Sequence, residues 1–230
     1  MKILFFCKEK CKASEDAYKF LILMGHNIDV VYSDKRGEKI PKFVLEWSGD
    51  YILSFKNYFI LSQDTINSAK IAAINFHPSL PFYPGSGGLN LSLYNNESET
   101  GITCHFMNGK IDQGDIIHVD IIPIYYEDNV LSLSKRVDKQ LLTTFKKICR
   151  EIITEKKNVS MNKIRLLASK SLYKEWAKNP NSINKINRLR EVDLNVNKEE
   201  LTRIIRSTNI GEMKPYVYIH GKKFVLNENE

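Results

Sequence analysis

The chain opens on an unbroken apolar run, Ile3-Leu4-Phe5-Phe6-Cys7. Continuous rather than alternating hydrophobicity marks a strand buried on both faces, so residues 2–7 are predicted as an interior strand. The period then lengthens. From 14 to 24, Ala17, Phe20, Leu21 and Met24 share one helical face, with Ser14 placed to cap the helix and Gly25 to stop it. Further strands are expected at 27–32, 51–55 and 71–76, with a short helix from Ser62, its cap, to Ala69. Strands alternating with helices predict an α/β fold. The expected architecture is a Rossmann-like, doubly wound, mostly parallel sheet with helices on both faces. Ligands of such sheets bind beyond the carboxyl ends of the strands, which is where Asn75 and His77 fall.

Residues 78–88 hold Pro78, Pro81, Pro84, Gly85, Gly87 and Gly88, the composition of a loop. A helix is expected from Leu89 to Tyr94. Two strands follow, at 100–107 and 116–124, joined by a turn that carries Asp112. A long helical period then runs from Val130 to about Glu155 through Leu131, Val137, Leu141, Leu142, Phe145, Ile148 and Ile152. Beyond Lys157 the chain grows richer in Asn and Lys. This shift predicts a boundary near 160–175, dividing a main domain, 1–160, from a C-terminal segment, 161–230. A small appendage for acceptor binding, dimerisation or both is expected there: a helix over 198–206 and a β-hairpin over 216–226 that turns at His220-Gly221.

Composition adds little to this picture. The 230 residues are 43% hydrophobic and 27% charged, as in an ordinary globular protein. The apolar N-terminus is too short, and too soon followed by Lys8-Glu9-Lys10, for a signal peptide. No apolar run reaches the ~18 residues of a membrane span, so a cytoplasmic protein without membrane contact is expected. The net charge is +7, but the lysines are dispersed and no RNA-binding signature stands out, so no nucleic-acid partner is expected. Cys7, Cys11, Cys104 and Cys149 lack the paired spacing of zinc ligands, and no metal is expected.

Chemistry concentrates in one stretch. Asn75 and His77 stand two apart, so strand alternation puts both on one face. Asp112 lies on a turn that could return to the same edge. An amide donor, an imidazole and a carboxylate together suit acyl transfer: one binds a developing oxyanion, one moves a proton, one orients the imidazole. Each group alone has a plainer reading. A loop histidine is more often packed or capping, Asp112 before Gly114 is a common turn residue, and His105 could be a half-buried strand histidine.

The run Asn75-x-His77-Pro-Ser-Leu-Pro, then Tyr83-Pro-Gly85, Gly101-x-Thr103-x-His105 and Ile111-Asp112-x-Gly114, resembles the formyltransferases that use N10-formyltetrahydrofolate. The resemblance covers roughly residues 1–155. It implies N-formyl transfer with Asn75, His77 and Asp112 as the catalytic set, the first aspartate of the turn rather than Asp115. It implies N10-formyltetrahydrofolate as co-substrate, with Ser54, Phe55, Lys56, Asn57, Tyr58, His105 and Asp115 around it. Here Ser-Leu-Pro stands where the family has Ser-Leu-Leu-Pro, one residue shorter.

The compact loop 82–90 looks most like the nucleotide-sugar branch. That likeness implies an acceptor such as dTDP-4-amino-4,6-dideoxy-D-glucose, for O-antigen or surface polysaccharide synthesis, met by Pro78, Tyr83, Gly85, Gly87 and Asn90. The alternatives are glycinamide ribonucleotide and methionyl-tRNA. A basic residue after the first strand, Lys8, Lys10 or Lys12, could meet a pyrophosphate. A homodimer is expected, because dimers are usual in the similar sugar enzymes and an exposed hairpin edge invites pairing.

Overall fold

A computed structural model describes residues 1–154 and 156–227. Its centre is a six-stranded sheet. The strands are β1 (Lys2–Lys8), β2 (Asn27–Ser33), β3 (Gly49–Phe55), β4 (Ala69–His77), β5 (Glu99–Phe106) and β6 (Ile116–Pro123), in the order β2-β1-β3-β4-β5-β6. The first four run parallel, and β5 and β6 close the sheet antiparallel. The sheet is therefore mostly parallel, as the sequence predicts. After β1 the chain crosses to β2 on one side and returns to β3 on the other. That reversal opens a crevice at the carboxyl ends of β1 and β3.

The apolar run of β1 is explained by two cores. Ile3, Phe5 and Cys7 enter one, and Leu4 and Phe6 enter the other. The larger core lies under α1 (Lys12–Leu23), α4 (Val130–Ile152) and α5 (Lys157–Lys170). Phe145 of α4 is its hub, with ring centroids 4.9 Å from Phe76, 5.2 Å from Phe55 and 5.6 Å from Phe5. The smaller core is roofed by a 3-10 turn (Lys42–Glu46) and by α2 (Gln63–Asn67), with Val44, Trp47 and Ile66 packed on the sheet.

Several boundaries differ from the sequence reading. Ser14 does not cap α1. The helix starts at Lys12, with Cys11 at its N-cap, and Ser14 is buried inside it. Ser62 does cap α2, accepting from Thr65 N–H, but the helix ends at Asn67 because β4 begins at Ala69. The long helix is α4, ending at Ile152; of the predicted end, Glu155 lies outside the described residues. Its core face holds Val137, Leu141, Phe145, Ile148 and Ile152, whereas Leu131 is exposed and Leu133 is buried in its stead.

A division at 160/161 falls inside α5, which packs Ile164 and Leu167 into the main core. The C-terminal segment continues with α6 (Ile183–Leu189) and α7 (Lys198–Thr208), the latter against α3 (Gly88–Tyr94). It ends in the hairpin of β7 (Tyr216–Ile219) and β8 (Lys222–Val225). His220 and Gly221 both take positive φ, the pattern of the tight hairpin turn read from the sequence.

Candidate active site

β4 delivers Asn75 and His77 to the end of the sheet, two residues apart on one face. β5 runs beside it, so that Asn75 pairs with His105 in the register of the two strands. The turn between β5 and β6 then folds back over both. Asp112 sits in it at φ 45°, a left-handed conformation that Asp adopts more readily than most residues. Gly114 lets the turn close, because a Cβ there would lie 1.7 Å from the Phe106 carbonyl oxygen.

Four polar side chains thereby meet. Asn75 Nδ2 donates to Asp112 Oδ1 at 3.1 Å, and it lies 3.1 Å from His105 Nε2. His77 Nδ1 lies 3.2 Å from Asp112 Oδ2, and His105 Nε2 lies 3.3 Å from Asp112 Oδ1. The backbone N–H of Gly85 adds a bond to Asp112 Oδ2 at 2.7 Å. Burial alone would raise the pKa of this carboxyl. The charge interaction with His77, the bond to His105 and the Gly85 N–H outweigh it and hold Asp112 well below the usual carboxylate range.

Each partner is itself fixed. Ser54 Oγ donates to Asn75 Oδ1 at 2.6 Å, and Asn57 Nδ2 donates to Ser54 Oγ. This chain pins the amide oxygen, which leaves Asn75 Nδ2 turned toward Asp112. His105 Nδ1 donates to the Phe106 carbonyl at 2.7 Å, which holds the ring so that its Nε2 stands between Asn75 Nδ2 and Asp112 Oδ1. His77 Nε2 donates to the Tyr83 carbonyl at 3.0 Å. Both nitrogens of His77 are therefore engaged within the protein.

The cluster borders a cavity of about 580 Å³ at the carboxyl end of the sheet, a size suited to small-molecule ligands. Of the residues expected from the sequence, Ser54, Lys56, Asn57, Tyr58, Asn75, His77, Pro78, Gly85, Gly87, Asn90, His105 and Asp112 line it. Phe55, Asp115 and Tyr83 do not, nor do Lys10 and Lys12. Phe55 points into the aromatic core around Phe145. Asp115 is exposed beyond the turn, and only its carbonyl is used, accepting from Phe106 N–H. The Tyr83 side chain turns away to donate to Glu97 Oε1 at 2.6 Å, and burial pushes its phenol up to about 12.

Of the basic residues proposed after the first strand, Lys8 lines the cavity, beside Arg36, which was not singled out by sequence; Arg36 and Lys8 flank the Tyr58 ring at 5.2 Å and 5.4 Å from its centroid. Lys56 also lines the cavity, but its ammonium is paired with Asp138. Pro180, Asn181, Ser182 and Ile183 come from the C-terminal segment, whose Asn/Lys-rich composition singled out no individual site residue.

The profile of the formyl transferase family matches residues 4–147, and the chain belongs to that family. Among curated relatives, the methionyl-tRNA formyltransferase of Levilactobacillus brevis is 32% identical over 111 residues, 47% of this chain and 35% of that enzyme. The chain spans between 18% and 35% of the length of the curated relatives it first matches.

Solved structures share the fold over nearly the whole chain. A sugar N-formyltransferase from a Shewanella species superposes with a TM-score of 0.74 at 18% identity, covering 99% of this chain and 97% of that one. An N-formyltransferase from Helicobacter canadensis, in complex with folinic acid and dTDP-3-aminofucose, gives 0.67 at 18% identity, covering 96% and 85%.

Proposed function

We propose that this chain transfers the formyl group of N10-formyltetrahydrofolate to the amine of a nucleotide-linked amino sugar. The observation that carries the reading is the network of Asn75, His77, His105 and Asp112 at the border of the cavity. The cavity suits such ligands. Ile60, Leu61, Ile66 and Met107 offer apolar surface to a flat ring, while Ser79 Oγ is buried at the lining with no protein partner.

When bound, the donor supplies a formyl carbon open to attack by a neutral amine. Asn75 Nδ2 carries two N–H groups; one bonds Asp112 Oδ1, and the other would serve as the donor for negative charge gathering on the formyl oxygen. One such positioned donor is typically worth about 3–4 kcal/mol of barrier. Asp112, held as a carboxylate, would pass the proton that the attacking amine loses on to N10 of the leaving tetrahydrofolate as the bond between N10 and the formyl carbon breaks. His77 balances the charge of Asp112 and keeps its oxygens oriented. His105 Nε2 stands beside Asn75 Nδ2 and Asp112 Oδ1 and helps keep both in register. Ser54 and Asn57 fix the amide from its other end.

For the acceptor, the full-length likeness to sugar N-formyltransferases supports a dTDP-linked amino sugar. Our specific proposal is dTDP-4-amino-4,6-dideoxy-D-glucose, made for an O-antigen or surface polysaccharide. The methionyl-tRNA relative favours a second reading, but its match covers 47% of this chain. The natural test is an acceptor screen. Purified protein and N10-formyltetrahydrofolate are incubated with nucleotide-linked amino sugars, glycinamide ribonucleotide and charged initiator tRNA, and products are weighed. Gain of one CO unit on an amino sugar supports the proposal; gain only on glycinamide ribonucleotide or tRNA overturns it.

The proposed assembly is a homodimer formed along β8. Phe224 and Val225 are exposed on that strand, and light scattering reporting a monomer at micromolar concentration would contradict it.

A further inference from the structure

The C-terminal segment crosses the site between α5 and α6, and it touches both loops that hold Asp112. Trp176 Nε1 donates to the Gly114 carbonyl at 2.8 Å, on the turn that carries Asp112. Gln113 of the same turn donates from Nε2 to the Ala177 carbonyl at 3.2 Å. On the opposite side, Asn181 N–H donates to the Pro84 carbonyl at 2.7 Å, and Ser86 N–H donates to the Asn181 carbonyl at 2.8 Å. Gly85 lies between those two bonds, and its N–H is the one that reaches Asp112. The carboxylate is thus held from two loops, and each loop is tied to this one segment.

Trp176 also reaches the imidazoles. Its ring meets His105 edge-on, with centroids 4.8 Å apart at 79°, and His77 at 5.7 Å and 68°. Trp176 does not line the cavity, whereas both histidines do. It packs instead with Leu80, Ile116 and Val119. An aromatic edge against two imidazoles restricts their tilt, and its N–H fixes the turn between them. Reacting groups displaced by about 1 Å can lose on the order of 10²-fold in rate.

We infer that Trp176 is a positioning residue for the site, acting through His77, His105 and the Asp112 turn, and that the segment around it serves as a strap. The inference rests on the proposed formyl transfer for its kinetic readout, but not for its structural one. Two variants test it. Trp176→Ala removes both the ring contacts and the N–H; Trp176→Phe keeps an aromatic edge and loses the N–H. With N10-formyltetrahydrofolate and the accepting amino sugar, Trp176→Ala is expected to lower kcat by about 10- to 100-fold, with KM for both substrates within about threefold. Trp176→Phe is expected to recover most of that loss.

In parallel, imidazole nitrogen shifts of His77 and His105 are measured by NMR without substrate. They are expected to move in Trp176→Ala, and less in Trp176→Phe. Unchanged shifts and unchanged kcat in Trp176→Ala overturn the inference. So does a loss of kcat in Trp176→Phe equal to that of Trp176→Ala, with histidine shifts unmoved in both. If Trp176→Ala does not fold, Trp176→Phe decides: a small kcat loss with altered shifts supports the strap, and wild-type shifts with wild-type kcat contradict it. Should the wild-type protein transfer no formyl group, the proposed function fails, and the histidine shifts alone decide the strap.

Discussion

Gly85 N–H donates to Asp112 Oδ2 at 2.7 Å, across the cavity border from one loop to another. A backbone donor cannot rotate away as a side chain can, so this bond sets where the carboxylate stands. The other contacts of Asp112, from Asn75, His77 and His105, then fall within 3.1–3.3 Å.

The charge of Asp112 is the first thing to remove. Asp112→Asn keeps the shape but can neither pair with His77 nor accept a proton from an amine. Turnover of the formyl acceptor is expected to drop by at least about 10²-fold, the usual contribution of a positioned acid–base group. Circular dichroism should show a folded protein. An Asp112→Asn enzyme with wild-type turnover would remove the carboxylate from the chemistry.

The same residue predicts a stability profile. The pKa of Asp112 in the folded state lies below its unfolded value. Its stabilisation is therefore complete above the unfolded value of ~4 and fades as pH falls toward the folded one. Urea midpoints between pH 7 and pH 3 should fall more steeply for the wild type than for Asp112→Asn. Parallel curves would mean that the carboxylate is not held in its charged form by its neighbours.

Ser54→Ala tests the amide lock. Ser54 Oγ holds Asn75 Oδ1 at 2.6 Å, and without it the Asn75 amide can rotate and present its oxygen to the site. We expect kcat to fall about 10-fold or more, within the range for a weakened oxyanion donor, with little change in Tm. Wild-type kcat in Ser54→Ala would show that the amide is fixed by His105 and Asp112 alone.

Gly114→Ala would bring a methyl group against the Phe106 carbonyl, where 1.7 Å is available. The turn must shift to admit it, and Asp112 shifts with it. A loss of about 1–3 kcal/mol in urea unfolding is expected, with activity falling further than stability. An Ala variant of wild-type stability and turnover would contradict the close packing of this turn.

The main elements were legible because burial leaves a periodic trace. The unbroken run of β1 reads as a strand with two cores, and the stripe ending in Phe145, Ile148 and Ile152 reads as one long helix. His77 and Asp112 were legible through the spacing of a motif that also contains Gly85 and Gly114. The strap was not. Residues 171–182 between α5 and α6 have no period, and their role lies in main-chain bonds of Ala177 and Asn181, which any residue type can make. α6 buries only Ile186, too little for a helical stripe to register. Phe55 and Tyr83 show the converse, side chains next to the motif in sequence that do not line the cavity. Sequence proximity suggests that a residue faces the cavity, but strand alternation sends Phe55 to the core, and the exposed Glu97 takes the Tyr83 hydroxyl.

We propose that the network around Asn75 and Asp112 transfers a formyl group from a folate to an amine on a nucleotide-linked sugar. The most direct test is a single-turnover reaction with N10-formyltetrahydrofolate carrying isotope in the formyl carbon and dTDP-4-amino-4,6-dideoxy-D-glucose as acceptor, followed by mass spectrometry. Labelled formamide on the sugar is expected with wild-type protein, and at least about 10²-fold slower labelling with Asp112→Asn. Label that stays on the folate, or is released as free formate with the sugar unmodified, would contradict it.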